Sequence, residues 1–233
     1  RDDFMEVWHR HDQTLHRRAQ ILNQRRIKTL HFTGPGVDLR VGLSDRARFK
    51  GGTDLGPSAK PFQPNIPTEE NFTTPDFRKT QGTVRATRPF LVNGVLVKDL
   101  SLTFKDGAID SFSASAGEET FREYIGSDPG ARFLGEVALV GIDSPVFKAG
   151  RVFEEILFDE NAACHIAVGS AYKFCIQGGD TMSSEEAASI GCNESSVHTD
   201  MMISDEQVDV HAELYSGERI ALIKKGAWTD EFR

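Results

Sequence analysis

The hydrophobic pattern changes period several times along the chain, and each change marks an element. Residues 2–25 carry Phe4, Val7, Trp8, Leu15, Ala19 and Leu22 at roughly helical intervals, with arginines and histidines opposite, which predicts an amphipathic helix. From Lys28 the period drops to two. KTLHFT and VDLRVGL flank Gly34-Pro35-Gly36, two strands joined by a turn. GPG is too short and too stiffened by proline to act as a phosphate loop. GTVRATRPFLV, VLVKDLSLTFKDG and AIDSFSAS follow, separated by Asn93-Gly94 and Asp106-Gly107, and predict a β-meander.

Helical character returns in GEETFREYIGSD and over 161–176, where Asn161 reads as an N-cap and small residues surround His165 and Tyr172. On a helix, positions seven apart lie two turns apart and almost on one line, so these two side chains would share a face. SSVHTDMMI, VDVHAEL and RIALIKKG then return to strand periodicity. Helices and strands come in blocks, which predicts an α+β class with mixed, largely antiparallel sheets and packed helices in one main domain. Residues 62–77, FQPNIPTEENFTTPDF, read as an extended, proline-punctuated loop.

Composition narrows the functional classes. The 233 residues are 39% hydrophobic, enough to bury a sizeable core. Thirty-five acidic against 27 basic residues leave a net charge of −8 with no long basic run, which argues against nucleic acid and against anionic membranes as partners. No apolar stretch approaches the ~20 residues of a membrane span, and the charged first 25 residues do not resemble a signal peptide. Cys164, Cys175 and Cys192 are odd in number and form no CxxC pair, which disfavours a disulfide framework or a thiolate zinc knuckle and fits a reducing cytoplasm. The sequons at Asn71 and Asn193 would matter only in a secreted chain. The opening RDDF lacks a methionine, so a preceding segment is expected.

Four clusters carry candidate chemistry. His165 and Tyr172 are either a satisfied core histidine with a packing tyrosine, or two ligands aimed into one cavity. His198 and Asp200, at i and i+2 in a strand, point to one side. They suit two metal ligands or an aspartate orienting a histidine, and equally a strand-end histidine beside a solvated aspartate. Glu69 and Glu70 are adjacent and must diverge, so one can bind a metal while the other handles a proton, unless both are solvated. Glu136 is the one charge at the head of the apolar run GEVALV, costly there unless paired or at the surface. Cys164 beside His165 is no dyad, because helix neighbours diverge by about 100°, and no GxSxG elbow is present.

Taken together, FTGPGVDLRVGL, PNIPTEENFTTPD, GTVRATRPF, GEVALV, DSPV, LFDENAACHIAVGSAY and VHTDMMI occur in an order and spacing that resemble the catalytic part of the M29 family of metallo-aminopeptidases. The resemblance implies that Glu70, Glu136, His165, Tyr172, His198 and Asp200 bind a pair of divalent metals, that peptides with a free N-terminus are the substrates, and that the chain forms a homodimer. Glu69, beside Glu70, is then the candidate general base and acid, with a bridging Glu136 that shuttles the proton itself as the alternative. The resemblance further implies that a family N-terminal α/β domain is absent, with 1–27 a connecting helix and 28–233 the catalytic domain. On that ground a catalytically incomplete metal-binding or dimerisation module is the second reading. Asn71 stands where the family usually has an apolar residue. Apart from the family, three carboxylates, two imidazoles and a phenol are a hard-to-borderline donor set, suited to zinc, cobalt or manganese and unlike a cysteine-rich structural zinc site.

Overall fold

Gly34 and Val37 pair across the two-residue Pro35-Gly36 turn, with Gly36 at φ +74°, where a side chain would be strained. The computed structural model describes residues 3–233. Helix α1 (Phe4–Arg25) starts at Asp3, whose carboxylate accepts a hydrogen bond from the Met5 amide, and ends at Arg26 in the left-handed region. Only the second half of its apolar stripe is covered: Leu15, Ala19 and Leu22 are buried, whereas Phe4, Met5, Val7 and Trp8 are exposed. Arg18 is also buried, donating to the Phe232 carbonyl and lying over the Trp228 ring.

The strands, in chain order, are β1 (Ile27–Gly34), β2 (Val37–Leu43), β3 (Asp54–Leu55), β4 (Pro61–Phe62), β5 (Asn71–Thr73), β6 (Pro75–Arg85), β7 (Phe90–Val92) and β8 (Val95–Val97). They continue with β9 (Ser101–Lys105), β10 (Ala108–Ser113), β11 (Leu134–Leu139), β12 (His165–Gly169), β13 (His198–Met202), β14 (Asp209–Leu214), β15 (Arg219–Lys224) and β16 (Ala227–Trp228). The larger sheet runs β10-β9-β6-β2-β1-β14-β15-β16, the smaller β13-β12-β11-β5, and β3-β4 and β7-β8 are separate ribbons. Every pairing in the two main sheets is antiparallel, and short helices including α2 (Glu118–Tyr124) pack around them, as the α+β reading requires. The turns at Asn93-Gly94 and Asp106-Gly107 close β7-β8 and β9-β10.

One continuous core joins the two sheets. Leu30, Phe32, Leu39, Val41 and Phe104 of the larger sheet share it with Val137, Leu139, Ile166 and Val168 of the smaller. Burial at this density is worth about 1.5–3 kcal/mol per large aliphatic or aromatic side chain, so the small sheet is held mainly by its inner face. Its other face is then free to carry polar groups. The chain crosses between sheets at Thr74, the single residue between β5 and β6.

A second tie fixes the approach to β13. Asp128 accepts hydrogen bonds from the Gly130 and Ala131 amides, the Ser195 and Ser196 hydroxyls and the Ser196 amide. The Ser196 hydroxyl and amide lead in holding the Asp128 carboxyl down at about 2. A folded-state value below the unfolded one gives stability that is complete above the unfolded carboxylate pKa of about 3.9 and is lost as pH falls towards 2. Thermal unfolding of wild type and Asp128→Asn should therefore differ most near pH 5–6 and converge on acidification. A gap that stays constant down to pH 2 would exclude this role.

Candidate metal centre

Strand register brings the site together. Glu136 pairs with Ala167 and Ala167 with Asp200, so these three share a row across β11, β12 and β13. Side chains two residues apart along a strand lie on the same face, which adds His165 beside Ala167 and His198 beside Asp200. Phe72 pairs with Ala138, itself opposite His165, and Glu70 precedes Phe72 by two. Glu70, Glu136, His165, His198 and Asp200 therefore project from one face of the small sheet, with Ala167 and Gly169 between them. A larger residue at 167 would fill that face. Gly169, at φ +101° with the Val197 carbonyl 2.0 Å from an ideal Cβ, admits no side chain.

The helix expected over 161–176 is not formed. It is replaced by a 3₁₀ turn, Glu160–Ala162, then β12, and a second short 3₁₀ turn, Lys173–Cys175, after Tyr172. Ile166 and Val168 are β-branched, all five residues of β12 are buried, and partners lie on both sides, conditions under which pairing overrides the helix propensity of the alanines. Asn161 is not an N-cap. It ties two loops instead: its Oδ1 accepts from the Glu69 amide at 2.6 Å, and its Nδ2 donates to the carbonyls of Leu157 (2.9 Å) and Pro67 (3.3 Å). Tyr172 nevertheless reaches the site, because the Thr74 hydroxyl donates to the Tyr172 carbonyl and accepts from its amide.

The distances within the cluster are short. His165 Nε2 lies 3.1 Å from Glu70 Oε2, 4.0 Å from Glu136 Oε1 and 3.9 Å from Asp200 Oδ1. His198 Nε2 lies 3.3 Å from Glu136 Oε2, 3.7 Å from Asp200 Oδ2 and 3.2 Å from the Tyr172 hydroxyl. Both imidazoles are oriented from behind, with Nδ1 of His165 donating to the Ala163 carbonyl (3.1 Å) and Nδ1 of His198 to that of Ser170 (2.8 Å). Neutral rings so anchored present an Nε2 lone pair to the carboxylates. Two lone pairs facing each other at 3.1 Å need a proton or a cation between them.

Electrostatics point the same way. Burial pushes Glu136 up to about 7, with the charges of Glu70 and Asp200 adding to it against the His198 hydrogen bond. Asp200 is raised by burial, opposed by the two imidazoles. For both histidines burial disfavours the charge. It is outweighed at His165 by the adjacent Glu70 carboxylate and the surrounding acids, and at His198, raised to about 9, by the Glu136 carboxylate and Asp200. Burial, then the charge of Glu136, raises the Tyr172 phenol above its ordinary value. Glu70 Oε2 and Asp200 Oδ1 are buried without a hydrogen-bond partner. Such groups are costly unless a cation satisfies them. Glu70, Glu136 and His165 form one trio able to hold an ion, and Glu136, His198 and Asp200 a second, with Glu136 common to both.

Two placements differ from the sequence expectation. Glu69 does not join the cluster. Its carboxylate faces α1, 3.7 Å from His11 Nε2, and its pKa is raised by burial and tempered by His11. Glu160, which the sequence reading passed over, does border the site. It is buried, takes a hydrogen bond from Asn65 Nδ2 at 3.4 Å, and is pushed up to about 9 by burial and the charge of Glu70. The available signal was the ENA triplet before His165, which a helix starting at Asn161 would have left at the surface. Asn71 is fully buried and donates to the Leu15 carbonyl of α1 at 2.9 Å, so its polarity is used. Glu70, Glu136, Glu160, Tyr172, His198 and Asp200 line a cavity of 530 Å³, whose apolar side is built from residues including Leu91, Val92, Ile156 and Leu157. All three cysteines are free and buried, and among the described residues no helix is long and apolar enough to cross a membrane.

Comparison with known proteins identifies the family. The chain is 44% identical over 227 residues to aminopeptidase T of Thermus aquaticus and 38% identical over 226 residues to aminopeptidase PepS of Streptococcus thermophilus, in each case over 97% of this chain and 55% of the relative. It thus spans about half the length of the curated relatives it matches. The solved structure of wild-type AmpT from Thermus thermophilus superposes with a TM-score of 0.90 at 42% identity, covering 96% of this chain and 55% of that one. A 2,5-dihydroxypyridine dioxygenase from Pseudomonas putida KT2440, at TM-score 0.61 and 16% identity over 94% of this chain and 61% of that one, shares the fold alone. The thermophilic metalloprotease (M29) family matches residues 1–228, and with these relatives it establishes that the chain belongs to the M29 metalloproteases.

Proposed function

We propose that this chain is the metal-bearing part of an aminopeptidase, which holds two divalent cations and removes the N-terminal residue of peptides. The observation that carries the reading is the pair of ligand trios sharing Glu136, set on one sheet face with two orphaned carboxylate oxygens between them. Glu70 and His165 would hold one ion, His198 and Asp200 the other, and Glu136 would bridge. The Tyr172 hydroxyl, 3.2 Å from His198 Nε2, would complete the second set. These oxygen and imidazole donors fit zinc, cobalt or manganese. When bound, such ions supply Lewis acidity towards a carbonyl and lower the pKa of water towards ~7.

The remaining roles fall to the protein's own groups. Recognition of the free α-amine, the feature separating an N-terminal residue from an internal one, would fall to the carboxylates that border the ions. Leu91, Val92, Ile156 and Leu157 offer that residue an apolar wall. Glu160 borders the cavity without belonging to either trio, so we assign to it the proton transfers between the attacking water and the leaving amine. Proton handling of this kind contributes ~10²–10⁴-fold. The Glu69 carboxylate, turned to α1, serves to seat its loop.

Hydrolysis of leucine amide, alongside its N-acetylated form, tests the function directly: zinc-, cobalt- or manganese-dependent cleavage of the free-amine form alone is expected. Cleavage of both, or of neither, would reject the aminopeptidase reading for this chain. Elemental analysis should find about two ions per wild-type chain and at most one in Glu136→Gln, since both trios lose a member; retention of two would remove Glu136 from the bridge. Glu160→Gln is expected to lower kcat by ~10²-fold or more with little change in fold, while Glu69→Gln should have a much smaller effect. The opposite order would return the proton transfers to Glu69.

A further inference from the structure

A second, larger depression adjoins the metal centre and has no role in the scheme above. It is a groove of 1410 Å³ between the α1 face that carries His16 and Asn23 and the segment 46–54, and it meets the site cavity at Asn65, Glu70, Phe72 and Phe174, which line both. A substrate whose first residue sits over the metal centre must lead its following residues out of the cavity, and this groove adjoins the cavity along the residues they share.

The floor of the groove is ordered by charge. Lys50 is bridged in antiparallel fashion to Phe72, the Thr73 hydroxyl donates to the Arg48 carbonyl, and the Arg46 carbonyl accepts from the Gln177 amide. The segment therefore leads away from the centre, with Lys50, Arg48 and Arg46 met in turn, all three lining the groove. Arg48 and Lys50 lie on the segment between the bridges at Ala47 and Lys50, and Arg46 stands in the turn that precedes it. The groove also carries acids, Asp45, Asp54, Glu70 and Asp180, so the cations act as local contacts and not as a net positive field. Lys50 is partly neutralised by Asp54 at 3.3 Å, and Arg48 is bound to the Ala47 carbonyl and Gln177. The Arg46 side chain is exposed and has no ion pair or hydrogen bond among the described residues.

We propose that this groove receives the residues that follow the scissile bond and draws the terminal α-carboxylate of a short peptide onto Arg48 and Arg46. The inference rests on the aminopeptidase reading for its substrate class. It makes the site selective for oligopeptides of a few residues with a free C-terminus.

Leu-Gly-Gly-Gly with its first peptide bond reduced to a methylene amine cannot be cleaved there, and serves as the probe. Titrated calorimetrically into the zinc-supplemented chain, the free acid should bind about threefold to tenfold more tightly than its C-terminal amide, the size expected of one charge-assisted contact near the surface. That preference should shrink with added salt and vanish in Arg46→Gln and in Arg48→Gln. Arg46→Gln breaks no contact among the described residues, so its fold is not at issue. Equal affinity of acid and amide in the wild type, no measurable binding of either, or a preference untouched by both variants would overturn the proposal. Leucine amide does not reach the groove: its turnover should be unchanged by either variant, and its failure in the wild type would sink the aminopeptidase reading while leaving the acid-amide comparison to judge the groove.

Discussion

Burying several carboxylates against two imidazoles is the constraint on which the rest of this structure turns. An isolated carboxylate transferred to a low-dielectric interior is so costly that it ordinarily takes up a proton. Here Glu70, Glu136 and Asp200 are all buried within reach of His165 and His198. The metal-free cluster answers by holding protons, and the raised values at Glu136, Asp200, His165 and His198 express that response. A site that must collect protons to exist without cations is one in which cations displace them, so ion binding and proton release are two sides of one equilibrium.

Such a cluster needs a stiff platform, because unpaired backbone or loose strands beside it would let water in or the acids move apart. The small sheet supplies this by burying β12 completely between β11 and β13. Around it, the loop that carries Glu70 is tied from three sides: the His11 ring to the Thr68 carbonyl, Asn71 to the Leu15 carbonyl, and Asn161 to the Glu69 amide. Polar residues that would be poor choices in an apolar core are here the fasteners.

Much of the architecture was legible in the sequence because it is local. The period-two runs, the GPG turn and the Asn-Gly and Asp-Gly pairs report directly on hairpins, and His198 and Asp200 at i and i+2 needed only a strand to face the same way. The 161–176 region failed for the complementary reason. Alanine-rich composition is a helical signal in isolation, and what makes HIAVG a strand is its neighbours on both sides, which no local pattern encodes. Glu160 was lost with that element, since its burial depends on where the following strand goes. The divergence of Glu69 from Glu70 followed from adjacency. Which of the two would turn to the metal centre depended on α1, more than 50 residues earlier in the sequence.

The crossing at Thr74 has a mechanical consequence. One residue joins the strand that leads out of the candidate metal site to the long strand β6 of the larger sheet, and its hydroxyl grips both backbone groups of Tyr172. A linker of that length has no slack. Sliding of one sheet over the other cannot be absorbed there and must appear as displacement of the phenol beside His198, so the two sheets and the position of that hydroxyl behave as a single rigid linkage.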